Sequence, residues 1–159
     1  MRMHPVFVAL LGLALTACAS RVNGPSTPAL PNDPAVVPTN VAFGGATLAL
    51  ETYLNRDFMP FSPPDGRPLT AFVRVRSTDG APLPVGLGVS WVGVYFQGQV
   101  WLSAPESMAL YDPSVVEAIT RDGPKWGPGE TADVVVIVSV AGGHRALLRA
   151  ADQPILRSD

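Results

Sequence analysis

The sequence predicts an all-β fold, an antiparallel Greek-key β-sandwich of about seven strands, and three observations predict it. The apolar residues of residues 43–159 recur with period two: Leu48, Leu50 and Leu54 alternate with Ala49, Glu51 and Tyr53, and Leu69, Ala71, Val73 and Val75 alternate with Thr70, Phe72, Arg74 and Arg76. Fifteen glycines and seventeen prolines in 159 residues disfavour long helices and supply turns between short strands. Only 15% of the residues are charged while 47% are apolar, so the chain has enough apolar side chains to fold and is not a disordered one.

The strands follow in order. Residues 47–54 and 69–76 each have one wet and one dry face. In residues 85–96, Val85, Leu87, Val89, Trp91 and Tyr95 are expected on one side, with Trp91 in the core. Gln97-Gly98-Gln99 turns the chain into Val100-Trp101-Leu102. Residues 133–140 are apolar on both faces, which marks a central strand, and Gly142-Gly143 supplies the positive φ angles of a tight hairpin into residues 145–150. A last short strand is expected at 154–157. Residues 103–131 are less clear. Asp112-Pro113-Ser114 could cap a helix with Ser114 and Glu117 as a capping box, or residues 112–120 could form a strand with Val116 and Ala118 inward. The strand is the better reading, because the 123–130 run then becomes a corner between sheets.

Taken together, this pattern resembles an immunoglobulin-like domain: Trp91 in mid-strand, Pro128-Gly129-Glu130 before the most buried strand, and a glycine hairpin joining the last two long strands. No cysteine pair flanks Trp91, so packing alone must hold the sheets together. Residues 123–149, with Gly123-Pro124-Lys125-Trp126-Gly127-Pro128-Gly129 and then Asp133-Val134-Val135-Val136, also resemble the C-terminal regions of small bacterial lipoproteins, a likeness that implies no activity.

The N-terminal residues carry a second resemblance. Arg2 precedes a ten-residue apolar run, residues 6–15, which is the length of a signal-peptide core and too short to span a bilayer. Leu15, Thr16, Ala17 and Cys18 then resemble the lipobox of bacterial lipoproteins. That resemblance implies cleavage before Cys18, acyl chains on its sulfur and its new amino group, and a membrane anchor for a chain with no other one. With Ala19 and Ser20 rather than an aspartate after the cysteine, it also implies an outer-membrane anchor facing the periplasm. The alternative is a conventional signal peptide, with Ala17 and Ala19 flanking a chance cysteine. The expected organisation is thus a signal peptide at 1–17, a lipidated Cys18 with a disordered proline-rich linker to residue 42, and a sandwich at 43–159. Pro25, Pro28, Pro31 and Pro34 recur every third residue, the period of a polyproline II tether.

Chemistry-bearing residues are sparse. Eleven Lys and Arg against thirteen Asp and Glu, with Lys125 the single lysine, give no footprint for nucleic acid. Once the signal peptide is removed, His144 is the one histidine; it falls in the glycine hairpin, where a solvated side chain is the ordinary expectation, and a zinc site needs three or four ligands. Glu51, Glu106, Glu117 and Glu130 show no spacing that selects a catalytic pair. Residues 55–68 are richer. Asn55, Asp57 and Asp65 are weak calcium candidates, although ion pairing with Arg56 and Arg67 explains the same residues. Phe58, Met59 and Phe61 either cap the end of the sandwich or form a partner contact, and Trp126 shares that ambiguity with Trp101. Arg74, Arg76, Phe72 and Thr70 share one strand face, and aromatics with arginine are the residues that anchor interfaces. The reading is a non-catalytic, cofactor-free envelope module, protein-binding or structural, whose partner is another envelope protein. The alternative is a ligand- or calcium-binding accessory of an envelope or carbohydrate-processing complex.

Overall fold

The computed structural model describes residues 28–159. It is all-β, with nine strands: β1 (Asn40–Phe43), β2 (Ala46–Asp57), β3 (Leu69–Ser77), β4 (Gly88–Phe96), β5 (Gln99–Ser103), β6 (Ser107–Asp112), β7 (Val115–Gly123), β8 (Thr131–Ser139) and β9 (Arg145–Ser158). They lie in the order β5-β4-β8-β9-β2-β3-β7-β6, and β1 also pairs with β2. The layer β2-β3-β7-β6 packs its inner face against that of β5-β4-β8-β9, the strand order of an immunoglobulin-like Greek key. The seam is unlike a simple sandwich. β9 pairs antiparallel with β8 from Arg145 to Pro154, and parallel with β2 through Leu54↔Ile155 to Asp57↔Ser158, so the two layers join into one curled, mixed half-barrel.

Period-two patterning is what builds the core between the layers. Leu48 and Leu54 of β2, Leu69, Ala71, Val73 and Val75 of β3, and Val134, Val136 and Val138 of β8 are all fully buried there. Val135 is equally buried but on the other side of β8, as expected of a strand that is apolar on both faces.

Several expectations change. The strands number nine rather than about seven, because β1 and β6 are short and lack strong alternation. Residues 112–120 are extended, not helical: β6 and β7 form a hairpin around Pro113 and Ser114, with Val116 and Ala118 inward as the strand reading required. Trp91 is not in the core. A bulge between Val89 and Trp91 inserts Ser90, whose Oγ meets Ser139 Oγ at 2.5 Å; this reverses the phase of β4 and turns Val92, Val94 and Phe96 inward. Val85 lies before β4, 97% exposed. The short strand expected at 154–157 is the second half of β9, which bends at Asp152 (φ +52°) to change partners; the Asp152 N–H leaves the ladder and donates to Asp133 Oδ1 at 2.8 Å.

The largest change concerns the linker. From residue 28 the chain is packed, not a free tether. Leu30 and the buried Val37 cover Val135, Tyr95 and Leu147 on the outer side of β4, β8 and β9. Tyr95 Oη donates to Pro31 O at 2.8 Å, Arg149 N donates to Pro38 O at 3.0 Å, and burial raises the Tyr95 pKa. Asp33 caps a 3₁₀ turn at Pro34–Val36, and β1 then runs back along β2. The prolines disfavour helix and central strand but not this packing, because Pro31 and Pro38 contribute only their carbonyls. Residues 1–27, and with them the signal peptide, the lipobox residues Leu15, Thr16 and Ala17, and Cys18, lie outside the described residues.

A candidate docking face

Among the described residues, the outer side of β2, β3 and β7 has no such cover. Register sets its side chains in rows. Glu51, Arg74 and Glu117 are paired across the three strands, and the next row is Tyr53, Phe72 and Ile119. Arg74 Nη2 meets Glu117 Oε2 at 2.9 Å, and Arg76 bonds Glu51, so the charges neutralise one another across the strands. Phe72 stands edge-on to Tyr53, with centroids 5.7 Å apart and planes at 60°. Thr70, Phe72, Arg74 and Arg76 do share this face, as the alternation required. A cleft of about 180 Å³ lies between the aromatic pair and the Arg74–Glu117 pair, and a wider one of about 600 Å³ opens beyond Phe72 toward Asn55, Asp57, Met59 and Arg121.

The 58–68 loop extends this face at its far end, and Arg56 organises the loop. Only 4% exposed, Arg56 donates to the carbonyls of Arg67 and Lys125 at 3.0 Å, of Trp126 at 3.3 Å, and of Asp65. It therefore binds carbonyl oxygens where an ion pair with the aspartates was expected. The ion pairs are made by its neighbours: Arg67 with Asp57 at 3.3 Å, and Lys125 with Asp65 at 2.6 Å. The Lys125 hydrogen bond lowers the Asp65 pKa.

The three apolar loop residues divide. Phe58 is held between the guanidinium groups of Arg56 and Arg157, 5.0 and 4.0 Å from its centroid, and closes against Gly66. A Cβ at Gly66 would come within 2.6 Å of that ring, and its φ of +74° independently requires glycine. Met59 and Phe61 point outward, Phe61 at 96% exposure. Of the expected contact residues, Phe58 is thus built into the loop. Trp126 stacks on Phe96 at 5.1 Å and packs against the core, so it anchors the 123–130 corner and little of it is left to meet a partner.

The calcium candidates are not assembled. Asn55 Nδ2 donates to Ser158 Oγ at 3.2 Å, Asp57 Oδ1 accepts from Met59 N, and Asp65 is taken by Lys125. Among the described residues no group of three or more His, Cys, Asp or Glu could hold a metal ion. His144 is exposed in the β8–β9 hairpin. Tyr53, Ile119 and Arg121 were the residues of the face that sequence reasoning passed over. Tyr53 had left a signal, as an aromatic side chain on the wet side of an alternating strand. No helix among the described residues is long and apolar enough to cross a membrane. No protein-family model matches the chain, and no curated protein is similar enough to it to count as a match.

Proposed function

We propose that this chain is a lipid-anchored, non-catalytic module of the cell envelope, held through Cys18 in the outer membrane on the periplasmic side, which docks another envelope protein. The docking surface is the outer face of β2, β3 and β7, with Met59 and Phe61 at its rim. The observation that carries this reading is directional. Pro28, where the described chain begins, lies beside Ile137 and Leu147 on the outer side of β8 and β9. The aromatic and arginine face is on the opposite side of the fold. Ten residue steps separate Cys18 from Pro28, so an anchored domain stays within about 35 Å of its lipid whatever their conformation. A domain held so close presents its far side, and that side carries exposed aromatic and arginine groups on the sheet and a methionine on the adjoining loop, residue types that anchor interfaces.

A photo-reactive side chain placed at Tyr53 or at Phe61 tests this in intact cells, with Val85, as exposed as Phe61, as the apolar control away from the face. One discrete adduct common to positions 53 and 61, absent from position 85 and lost from position 53 when Met59→Ser and Phe61→Ser are combined, is the expected result. Adducts of the same kind from all three positions, or none from the face, would overturn the proposal.

A further inference from the structure

The half-barrel leaves β6 as a terminal strand, paired with β7 and with no second neighbour strand among the described residues. Such an edge offers unpaired N–H and C=O groups, and natural proteins usually blunt it with charged residues, proline, a bulge or a covering segment. Ser107–Asp112 contains no lysine, arginine or proline; its guards, a bulge after Leu110 and Asp112, lie at its end and leave Ser107 to Leu110 open. Its apolar side chains are uncovered as well, Met108 at 54% and Leu110 at 66%. Both sit opposite the buried Ala118 and Val116, so they face the concave side of the sheet and extend the core layer past its last strand. Met108 is fixed in place, its sulfur accepting from Val89 N at 3.3 Å across the open side.

We infer that β6 pairs antiparallel with β6 of a second copy of this chain, about a two-fold axis through Ala109. The sequence selects that register. Opposed residues in an antiparallel pair point to the same face, so centring on Ala109 sets Met108 against Leu110 of the second copy, and the reverse. Centring on Leu110 would set Met108 against Asp112, and centring on Met108 would set Leu110 against Glu106. The contact is isologous and closes, as a stable dimer requires.

Where the chain leaves the fold favours the same occupant. The two-fold axis of such a pair is perpendicular to the joined sheet, so the outer sides of β8 and β9, with Pro28, stay on one side in both copies. Two anchors can then enter one membrane while both Tyr53–Phe72 faces point away from it. This orientation rests on the proposed anchor, whereas the edge complementarity does not. Confinement to one surface also raises the effective concentration of copies, which favours a short contact.

Cysteine cross-linking of the full-length chain reads this directly. Cα atoms at the symmetry centre would be about 4.5 to 5.5 Å apart, within disulfide range. Ala109→Cys is expected to give a covalent dimer under mild oxidation, Ser107→Cys to give none, and Leu110→Lys added to Ala109→Cys to abolish the cross-link while the thermal melt persists. Equal cross-linking at 107 and 109, no cross-link in the folded Ala109→Cys protein, or a cross-link that survives Leu110→Lys would each overturn it. The same set run on Cys18→Ser separates the two proposals: a cross-link at 109 there supports the edge pairing even if the anchor reading fails.

Discussion

On the outer side of β4, β8 and β9, Val135 and Tyr95 are buried under Leu30 and Val37, whereas on the outer side of β2, β3 and β7 Tyr53 is 47% exposed and the charges pair with one another. Both sheets close the same core, and their second faces differ because their sequences do. β8 carries valine or isoleucine at five successive positions, 134–138, and an apolar second face loses stability unless something covers it. β2 and β3 alternate, with Glu51, Arg74 and Arg76 facing water. Among the described residues, one face is covered and the other is not.

Three substitutions probe this contrast, in order of expected effect. Val37→Asp places a carboxylate in the covered cluster, where Arg149, opposite Val135, is already paired with Asp133, and should cost about 3 to 5 kcal/mol in urea denaturation, the scale of a poorly compensated buried charge. A loss no greater than that of an ordinary surface change would mean that residues 28–43 do not stabilise the domain. Tyr53→Ser with Phe72→Ser removes an edge-to-face pair from the bare face and should cost only about 0.5 to 1.5 kcal/mol beyond the lost burial, with the sheet intact by circular dichroism. A collapse of the fold would show that this face is structural.

The smallest effect is electrostatic. Asp79 ties the ends of β2 and β3 by accepting from Ser77 Oγ, Ala81 N and Thr47 N, and these bonds, that to Ser77 foremost, lower its pKa from 3.8 to about 2. A depressed carboxylate pKa stabilises the fold above the unfolded value and ceases to do so as pH falls through the folded one. The stability difference between wild type and Asp79→Asn should therefore be constant at neutral pH and shrink between about pH 4 and pH 2. A gap that stays unchanged over that window would remove Asp79 from this role.

Much of the fold was legible because period two speaks directly about burial: β2, β3 and β8 sit where their alternation or their continuous apolar run put them. The Gly142-Gly143 hairpin followed from backbone chemistry, with φ values of +94° and +85°. Trp91 was misplaced because one inserted residue, Ser90, reverses every later side chain of β4, and no local pattern marks where a bulge falls. The cover formed by residues 28–43 was hidden for a related reason. Proline spacing reports which structures a segment avoids, and it is silent on where Leu30 and Val37 will pack. At the candidate face, Phe72, Arg74 and Arg76 were readable from one strand. Tyr53 and Ile119 became part of it only through cross-strand register, which depends on pairings far apart in the chain.

The proposed anchor at Cys18 gives direction to this reading, and intact-mass analysis of the protein extracted from membranes tests it most directly. The account requires a mature chain that begins at Cys18 and carries the added mass of acyl chains on that residue. A mature chain beginning elsewhere, or Cys18 present with an unmodified thiol, would contradict it.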